Sequence, residues 1–268
     1  DLGIKGPSIL ISTGCTAATD AIGYAKELIC SGTSEVILAG GSEAPISPLT
    51  LQAFSTIKAL STRNDEPQRA SRPFDKKRDG FVLAEGATVF ILEELQHALS
   101  RNAHIYAELI GYVTTSDGWH ITAPSPDGKE AARAMGLAME NANIGPEQID
   151  YISAHGSSTP LNDKTETLVI KKAFGELAYN VPMSSIKSTI GHASGAAGAM
   201  QAASCLLTIE NNLIPPTINY EFPDPECDLD YVPNKARKKA VKIALQNTTG
   251  FGGKNSVLVF KKFDEGKL

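Results

Sequence analysis

Residues 8–39, SILISTGCTAATDAIGYAKELICSGTSEVILA, contain the first strand–helix–strand pattern of the chain. Ser8–Ser12 (SILIS) and Glu35–Ala39 (EVILA) are apolar runs of strand length. Between them, apolar side chains recur at offsets of 0, 3, 4, 7, 10 and 11 residues, which predicts a helix that ends near Gly32. These positions are Ala18, Ala21, Ile22, Ala25, Leu28 and Ile29. The order of the three elements predicts an α/β fold.

The same alternation continues along the rest of the chain. Further strands are predicted at residues 88–92, 105–113, 149–153, 183–186, 243–246 and 256–260. Further helices are predicted at residues 49–60, 93–100, 129–143, 163–174 and 194–210. Residues 211–234 are rich in proline and acidic side chains, which predicts a long surface loop.

Composition excludes several classes of protein. The 268 residues are 42% hydrophobic and 21% charged, enough to bury a core and too apolar for wholesale disorder. The net charge of −5 argues against nucleic acid as the main partner, because phosphate-binding surfaces need a basic excess. Four cysteines without a CxxC pair predict neither a disulfide scaffold nor a zinc site. We expect no membrane span, no bound metal and a reducing, cytoplasmic location.

Cys15 is the first candidate for chemistry. It follows Thr13-Gly14 and begins a predicted helix, where backbone N–H groups and the helix dipole stabilise a thiolate. The same N–H groups can bind a developing oxyanion. The alternative is a buried cysteine that packs as a small hydrophobe, and this is the interpretation we give Cys30, Cys205 and Cys227.

Two histidines and a lysine are the next candidates. His155 follows a predicted strand, at the edge where α/β enzymes build their sites; a surface-loop histidine is the alternative. His192 begins a helix of small residues, and a helix N-terminus favours its neutral form. Lys187 lies five residues earlier, and it is a solvated lysine unless these segments converge.

Gly250-Phe251-Gly252-Gly253 is the last motif. Glycines around one aromatic residue predict a mobile backbone with a bulky gate, or a backbone N–H directed at a reacting oxygen. An ordinary turn before the last strand is the alternative.

In this order the motifs resemble the β-ketoacyl synthases, the condensing enzymes of fatty acid and polyketide assembly. The resemblance runs from Gly6 to Lys262. It includes SRPFDKKRDGFVLAEGA (71–87), HGSSTP (155–160), IKSTIGHASGAAG (186–198), PDPECDLDYVP (223–233) and GFGGKN (250–255). STGCTAATDAIGYA (12–25) and GGSEAPISPLTLQAFSTIKA (40–59) look most like the catalytic ketosynthase subunits of type II polyketide synthases. The related chain-length-factor subunits carry Gln where this chain has Cys15.

The resemblance implies a thiolase-like layered α-β-α-β-α fold that lacks the first strands and helices of its amino-terminal half. Residues 1–105 would hold the rest of that half with the nucleophile, and residues 106–268 the carboxy-terminal half with both histidines and the lysine. The missing part amounts to about a domain of chain. We therefore expect a companion chain or segment that completes the amino-terminal half, within a homodimer or a heterodimer with a chain-length-factor-like subunit.

The resemblance also implies a role for each site residue. Cys15 would take an acyl group from a carrier-protein thioester, and His155 and His192 would hold the malonyl thioester oxygen during loss of carbon dioxide. Lys187 and Glu166 match a buried pair that orders the site. The backbone N–H groups of Cys15 and Phe251 would form the oxyanion hole, with the Phe251 ring as the gate.

Other positions match the approach to the site. Thr122, Ser157 and Thr159 would line the tunnel for the phosphopantetheine arm, which arrives on the acyl carrier protein, so that no cofactor is bound by this chain. Phe54 would border the acyl pocket. Lys58 and Arg63 would contact the acidic carrier protein; solvating surface charge is the alternative. Relatives often have Thr in place of Ser157, which keeps the hydroxyl and the tunnel contact. They often have Phe in place of Thr249. Because that aromatic residue is missing beside the gate, acyl-chain selectivity is not carried over.

Three other interpretations stay open at this stage. The condensation could serve fatty acid elongation instead of polyketide assembly. The chain could be a non-catalytic, ketosynthase-like partner subunit, although such a subunit needs no intact Cys15, His155, Lys187 and His192. A thiolase is the third, but a thiolase uses a second cysteine as its base and none stands in a matching loop.

Overall fold

A computed structural model describes residues 3–264 and 266, and the predicted alternation of helices and strands is present. The elements of the first part are α1 (Ala17–Cys30), β1 (Val36–Glu43), α2 (Pro48–Thr56), β2 (Gly86–Glu93) and α3 (Leu95–Ser100). They are followed by β3 (Glu108–Ser116), α4 (Lys129–Asn141), β4 (Tyr151–Ser153), α5 (Pro160–Phe174), β5 (Met183–Ser184), α6 (Lys187–Ile190), α7 (Ala197–Asn211), β6 (Leu213–Ile214), β7 (Arg237–Lys238), β8 (Ile243–Gly250) and β9 (Lys254–Lys261).

The strands form one mixed central sheet and two smaller ones. The central sheet has the order β3-β9-β8-β4-β5, with β8, β4 and β5 parallel and β9 antiparallel to both of its neighbours. Strands β1 and β2 pair antiparallel in a separate sheet, as do β6 and β7. Because β8, β4 and β5 are parallel, their carboxyl ends lie at one edge, where α/β proteins build their sites.

Helices cover both faces of the central sheet. Side chains alternate along β9: Val257 and Val259 pack in the core beside α4 and α5, and Leu258 and Phe260 in the core beside α1 and α7. Helices α1 and α7 also pack against β1 and β2. The order of layers is therefore α4 and α5, central sheet, α1 and α7, and the β1–β2 sheet, which is the thiolase-like layering expected.

The outer face of the β1–β2 sheet is apolar and exposed. Val36, Leu38, Val89 and Ile91 point away from α1 and α7, and each is 41 to 64% exposed. Helix α2 has no buried residue, and its Leu49 is 81% exposed. Apolar surface of this extent is typical of an interaction site.

Two sequence expectations were wrong. Ser8–Ser12 is not a strand, because nothing in residues 3–264 pairs with it; Leu10 is 91% exposed. Residues 211–234 are not simply a surface loop. Tyr231 is buried there, stacks on Phe74 with ring centroids 4.0 Å apart and hydrogen-bonds Thr167 at 2.8 Å. A proline-rich composition predicts that a segment is neither helix nor strand, but it does not predict that the side chains of the segment are exposed. The division of the chain at residue 105 stays a prediction.

Candidate active site

Cys15 lies at the amino end of the helix that the sequence predicted. It occupies a 3₁₀ turn, Gly14–Thr16, which runs directly into α1. Gly14 has φ +70°, a conformation that a residue with a Cβ rarely adopts, so this turn requires glycine. The backbone N–H groups of Phe251 and of Cys15 itself favour the thiolate form of Cys15 and so lower the pKa of its thiol. Two donors therefore lie near this sulfur.

The charge state of Cys15 differs from the sequence expectation of a stabilised thiolate. Burial raises the pKa of the Cys15 thiol above its ordinary value, and this effect exceeds the opposing effects of the Lys187 charge and the two N–H groups. The negative charge of Glu43 adds to the rise. The resting group is therefore a thiol, and acylation requires that its proton leave.

His155 and His192 converge in one pocket. Their ring centroids are 5.3 Å apart with an interplanar angle of 79°. The Ser194 N–H donates to His192 Nδ1 at 3.1 Å, so the neutral ring carries its proton on Nε2. His155 Nδ1 is buried and has no hydrogen-bond partner among the described residues. Both rings are thus held where they can offer a neutral N–H to a substrate.

Burial keeps both imidazoles neutral. It lowers the pKa of His192 to about 3, and it lowers the pKa of His155 well below its ordinary value. The Lys187 charge adds to both shifts. His192 lies between α6 and a 3₁₀ turn at Ser194–Ala196 that precedes α7, so desolvation, not the predicted helix N-terminus, accounts for most of its neutrality.

Lys187 joins these groups electrostatically. Its Nζ is buried, donates to the His155 carbonyl at 2.6 Å and to Gln201 Oε1 at 2.8 Å, and its charge acts on Cys15 and on both histidines. Burial lowers the pKa of Lys187 to about 8, against the opposing charges of Glu166 and Cys15. The alternative of a solvated lysine is excluded by this burial.

Glu166 is placed by hydrogen bonds instead of by an ion pair. Its carboxylate accepts from the N–H groups of His155 and Gly156 and from Asn247 Nδ2, each at 2.7 Å. Burial raises the pKa of Glu166 above its ordinary value, and the hydrogen bonds oppose this rise. No ion pair within 4.0 Å joins Glu166 and Lys187 in residues 3–264, so the implied pair is indirect: the two side chains hold the two sides of the His155 backbone.

Three phenylalanine rings connect the surface to His192. Phe251 is 38% exposed, and its ring centroid lies 6.4 Å from that of Phe54. The Phe54 centroid lies 5.3 Å from that of Phe81. The Phe81 centroid lies 5.1 Å from that of His192. The Gly252 N–H donates to the Ile121 carbonyl at 2.8 Å. Phe251 and Phe54 thus lie side by side at the surface end of this series, and their roles as gate and as edge of the acyl pocket stay predictions.

Two of the three hydroxyl residues predicted for the tunnel contact each other, and the third lies beside the Gly252 contact. Ser157 and Thr159 hydrogen-bond each other at 3.0 Å, and Thr159 also caps α5 by accepting from the Asn162 N–H. Thr122 is next in sequence to Ile121, which holds Gly252, and its N–H donates to His120 Nδ1 at 3.1 Å. Their role toward a pantetheine arm stays a prediction.

The two basic residues predicted for carrier-protein contact differ in their surroundings. Lys58 is exposed just beyond α2 with φ +55°. Arg63 is half-buried and pairs with Glu66 at 3.5 Å. Lys58 is therefore the more available of the two, and the carrier-protein role of both stays a prediction.

Sequence reasoning missed Gln201 and Asn247. Both are buried, and both bind the residues predicted for catalysis: Gln201 accepts from Lys187 and Asn247 donates to Glu166. Gln201 lies within the small-residue helix, nine positions after His192, and its polar side chain in an apolar run was the available clue.

The neutral histidines predict loss of stability at mildly acidic pH. Each ring has a pKa below the ordinary value near 6.5, so between pH 6.5 and 5 the unfolded chain binds more protons than the folded one. The free energy of unfolding should then fall as pH falls, by about 1.4 kcal/mol per pH unit for each histidine. Urea unfolding at pH 7, 6 and 5 measures this slope. His192→Gln should remove its share, and an unchanged slope in that variant would contradict the prediction.

The cysteine–histidine cluster, and not the size of a cavity, defines the site. A cavity of about 750 Å³ lies between α1, β2 and β3, and it contains neither Cys15 nor either histidine. Among residues 3–264 and 266, no group of three or more His, Cys, Asp and Glu side chains could hold a metal ion. Over the same residues, no helix is both long and apolar enough to cross a bilayer.

Family models match both parts of this fold. Residues 1–98 match the N-terminal domain of beta-ketoacyl synthase, and residues 106–221 match its C-terminal domain. A 3-oxoacyl-[acyl-carrier-protein] synthase 2 of Synechocystis is 51% identical over 98% of this chain and 63% of that protein. The ketoacyl synthase alpha subunit of the tetracenomycin polyketide synthase of Streptomyces glaucescens is 51% identical over 98% of this chain and 62% of its own length.

Solved structures agree with this assignment. A type II polyketide ketosynthase, in complex with its acyl-carrier protein and bound to the hexaketide, has a TM-score of 0.93 and 47% identity, over 95% of this chain and 62% of that one. The ishigamide ketosynthase/chain length factor has a TM-score of 0.90 and 38% identity, over 96% of this chain and 61% of that one.

The layered fold is therefore the thiolase-like fold of these ketosynthase structures. The chain belongs to the β-ketoacyl synthase family. It spans 62 to 63% of the length of these two curated relatives.

Proposed function

We propose that this chain carries the reaction centre of a β-ketoacyl-[acyl carrier protein] synthase, an acyltransferase that performs decarboxylative Claisen condensation. The observation that carries the proposal is the meeting of one cysteine, two backbone N–H donors at its sulfur and two neutral imidazoles around one buried lysine. These are the groups that such a condensation needs: a nucleophile, an oxyanion hole and donors for an enolate.

The first step is acyl transfer. The Cys15 thiol loses its proton and attacks the carbonyl of an acyl thioester on the carrier protein. The N–H groups of Cys15 and Phe251, which are directed at the sulfur, would hold the oxyanion. The carrier thiol leaves with a proton, and the acyl group stays on Cys15 as a thioester.

The second step makes the carbon–carbon bond. A malonyl thioester on the carrier protein loses carbon dioxide, and the electrons of the broken bond form an enolate. Neutral N–H groups of His155 and His192 would bind its oxygen, and no strong base is required. The enolate carbon attacks the Cys15 thioester and expels the thiolate, which takes up a proton. The product is a β-ketoacyl thioester on the carrier protein.

Polyketide assembly is our first proposal for the pathway, and fatty acid elongation is the second. The proposal rests on the polyketide-like motifs around Cys15, since relatives of both kinds are 51% identical to this chain. Supplying a β-keto reductase, dehydratase and enoyl reductase distinguishes them. Efficient extension of the fully reduced chain would favour elongation, and extension of unreduced poly-β-keto chains would favour polyketide assembly.

The partners are also proposals. A solved relative is described as a ketosynthase in complex with its acyl-carrier protein, and others as a ketosynthase with a chain length factor. We propose that this chain receives the phosphopantetheine arm of an acyl carrier protein at the entrance formed by Phe251 and Thr122. We also propose a homodimer, or a heterodimer with a chain-length-factor-like subunit.

The exposed face of the β1–β2 sheet supports a further partner. Its four large apolar side chains and the uncovered helix α2 fit a companion chain or segment that completes the amino-terminal half. The 268-residue chain alone should therefore self-associate at micromolar concentration, and its assembly with the companion should be soluble. Sedimentation velocity measures both, and a monodisperse monomer of the chain alone would contradict this part of the proposal.

The function is tested by product analysis of the chain with its companion. Incubation with an acyl thioester and malonyl-carrier protein should release carbon dioxide and the thiol of the acyl donor. The β-ketoacyl-carrier protein should have the summed mass of the two substrates less CO₂ and less that thiol. Acylation without carbon–carbon bond formation, in the complete assembly, would contradict the proposal.

A further inference from the structure

Gln201 occupies a central place that the mechanism above does not use. Its side chain is fully buried on α7. Its Oε1 accepts from Lys187 Nζ at 2.8 Å, and its Nε2 donates to the carbonyls of Ala154 at 2.9 Å and Asn247 at 3.2 Å. One amide therefore joins α7 to the end of β4, to the middle of β8 and to the lysine of the site.

The orientation of this amide is determined by its neighbours. Carbonyl oxygens on one side require the NH₂ group, and the ammonium on the other requires the oxygen. The reversed orientation would place the NH₂ group against the Lys187 ammonium and Oε1 against two carbonyl oxygens. The Gln201 amide is thus an uncharged acceptor for Lys187, and only one orientation of this amide satisfies its neighbours.

The Lys187 ammonium is consequently held by uncharged hydrogen-bond acceptors. Its hydrogen bonds go to the His155 carbonyl and to Gln201, and no carboxylate lies within 4.0 Å of Nζ among the described residues. The charged or titratable groups that act on it from further away are Glu166, Asp163 and Cys15. Glu43 acts on Cys15, and the neutral His155 and His192 face the same pocket.

We propose that Gln201 is a positioning residue of this site: its amide holds the Lys187 ammonium against the His155 carbonyl and thereby determines how strongly the lysine charge favours the Cys15 thiolate. The consequence for turnover rests on the proposed function; the effect on Cys15 does not. Without the acceptor at Gln201, Lys187 keeps one of its two hydrogen bonds and loses its proton more readily. The attraction between its charge and the thiolate weakens accordingly.

The experiment is the pH dependence of Cys15 alkylation by iodoacetamide. It is followed by peptide mass spectrometry, in a Cys30→Ala background that removes the exposed competing thiol. Gln201→Met keeps the length of the side chain and removes the acceptor, so the alkylation midpoint should move up by about one pH unit. Gln201→Asn withdraws the acceptor by one methylene and should give a smaller upward shift.

Gln246 is the matched control. It is also fully buried, and its Nε2 donates to the Gly198 carbonyl at 2.9 Å and to Thr19 and Thr248 at 3.2 Å, without contact to Lys187. Gln246→Met should destabilise the fold and leave the midpoint of Cys15 unchanged.

Two results would overturn the proposal: an unchanged midpoint in Gln201→Met, or an equal shift in Gln246→Met. If Gln201→Met does not fold, Gln201→Asn decides the question, and an unchanged midpoint in that variant would overturn the proposal. Alkylation needs no acyl donor and no carrier protein. Failure of the condensation assay would therefore overturn the proposed function and leave this test unaffected.

Discussion

Cys15→Ala should abolish acylation of this chain and lower condensation by about 10⁶-fold, the effect expected when a covalent catalyst loses its nucleophile. Cys15 is the thiol at which the N–H groups of Phe251 and Cys15 meet and on which the Lys187 charge acts. Intact mass before and after incubation with an acyl thioester measures the loss directly: the parent chain gains one acyl group and the variant gains none.

Cys30→Ala is the matched control for this experiment. Cys30 ends the same helix, α1, and its thiol is exposed, so it is the more accessible of the two to non-specific acylation. Its removal should leave the mass gain and the rate of condensation unchanged. A mass gain retained in Cys15→Ala and lost in Cys30→Ala would refute the assignment. Acylation that survives both changes would refute it as well.

His192→Ala should slow decarboxylation of malonyl-carrier protein by about 10²- to 10³-fold, the usual cost of one lost oxyanion donor. The variant should still acylate Cys15, because the N–H donors at the sulfur are unaffected. Release of labelled carbon dioxide measures decarboxylation, and intact mass measures acylation in the same sample. His155→Ala should likewise slow decarboxylation and leave the acylation of Cys15 unchanged.

His104→Ala is the control, since His104 is exposed and pairs with Glu210 at 2.9 Å, away from the site. The pH dependence provides a second check. Because burial lowers the pKa of His192 to about 3, protonation of this ring should not slow decarboxylation between pH 8 and 5. A rate that falls with a midpoint near 6.5 would show that the ring is solvated and would contradict its role. Equal loss of acylation and decarboxylation in His192→Ala would contradict the division of the two steps.

The sequence predicted the α/β class, most helices and the main residues that meet at the candidate site, because these properties are local. The apolar period of α1 and the glycine before Cys15 are both visible within a few residues. The predictions that were wrong depended on contacts with residues distant in sequence. Ser8–Ser12 has strand composition, but a strand needs a partner edge, and composition does not show whether one is present. Tyr231 lies in a proline-rich segment, yet it stacks on Phe74, more than 150 residues earlier in the chain.

The sequence alone thus identified the main groups of the candidate site: a cysteine after a glycine turn, two histidines, a lysine and a glycine-flanked phenylalanine. Only the tertiary structure decided their charge states, since these depend on burial and on neighbours distant in sequence. Desolvation makes Cys15 a thiol, makes both histidines neutral and lowers the pKa of Lys187. The tertiary structure also decided that Lys187 and Glu166 are connected through the His155 backbone, and that Gln201 is the direct partner of the lysine. Hydrogen bonds of this kind join residues by position in space, and spacing along the chain does not encode them.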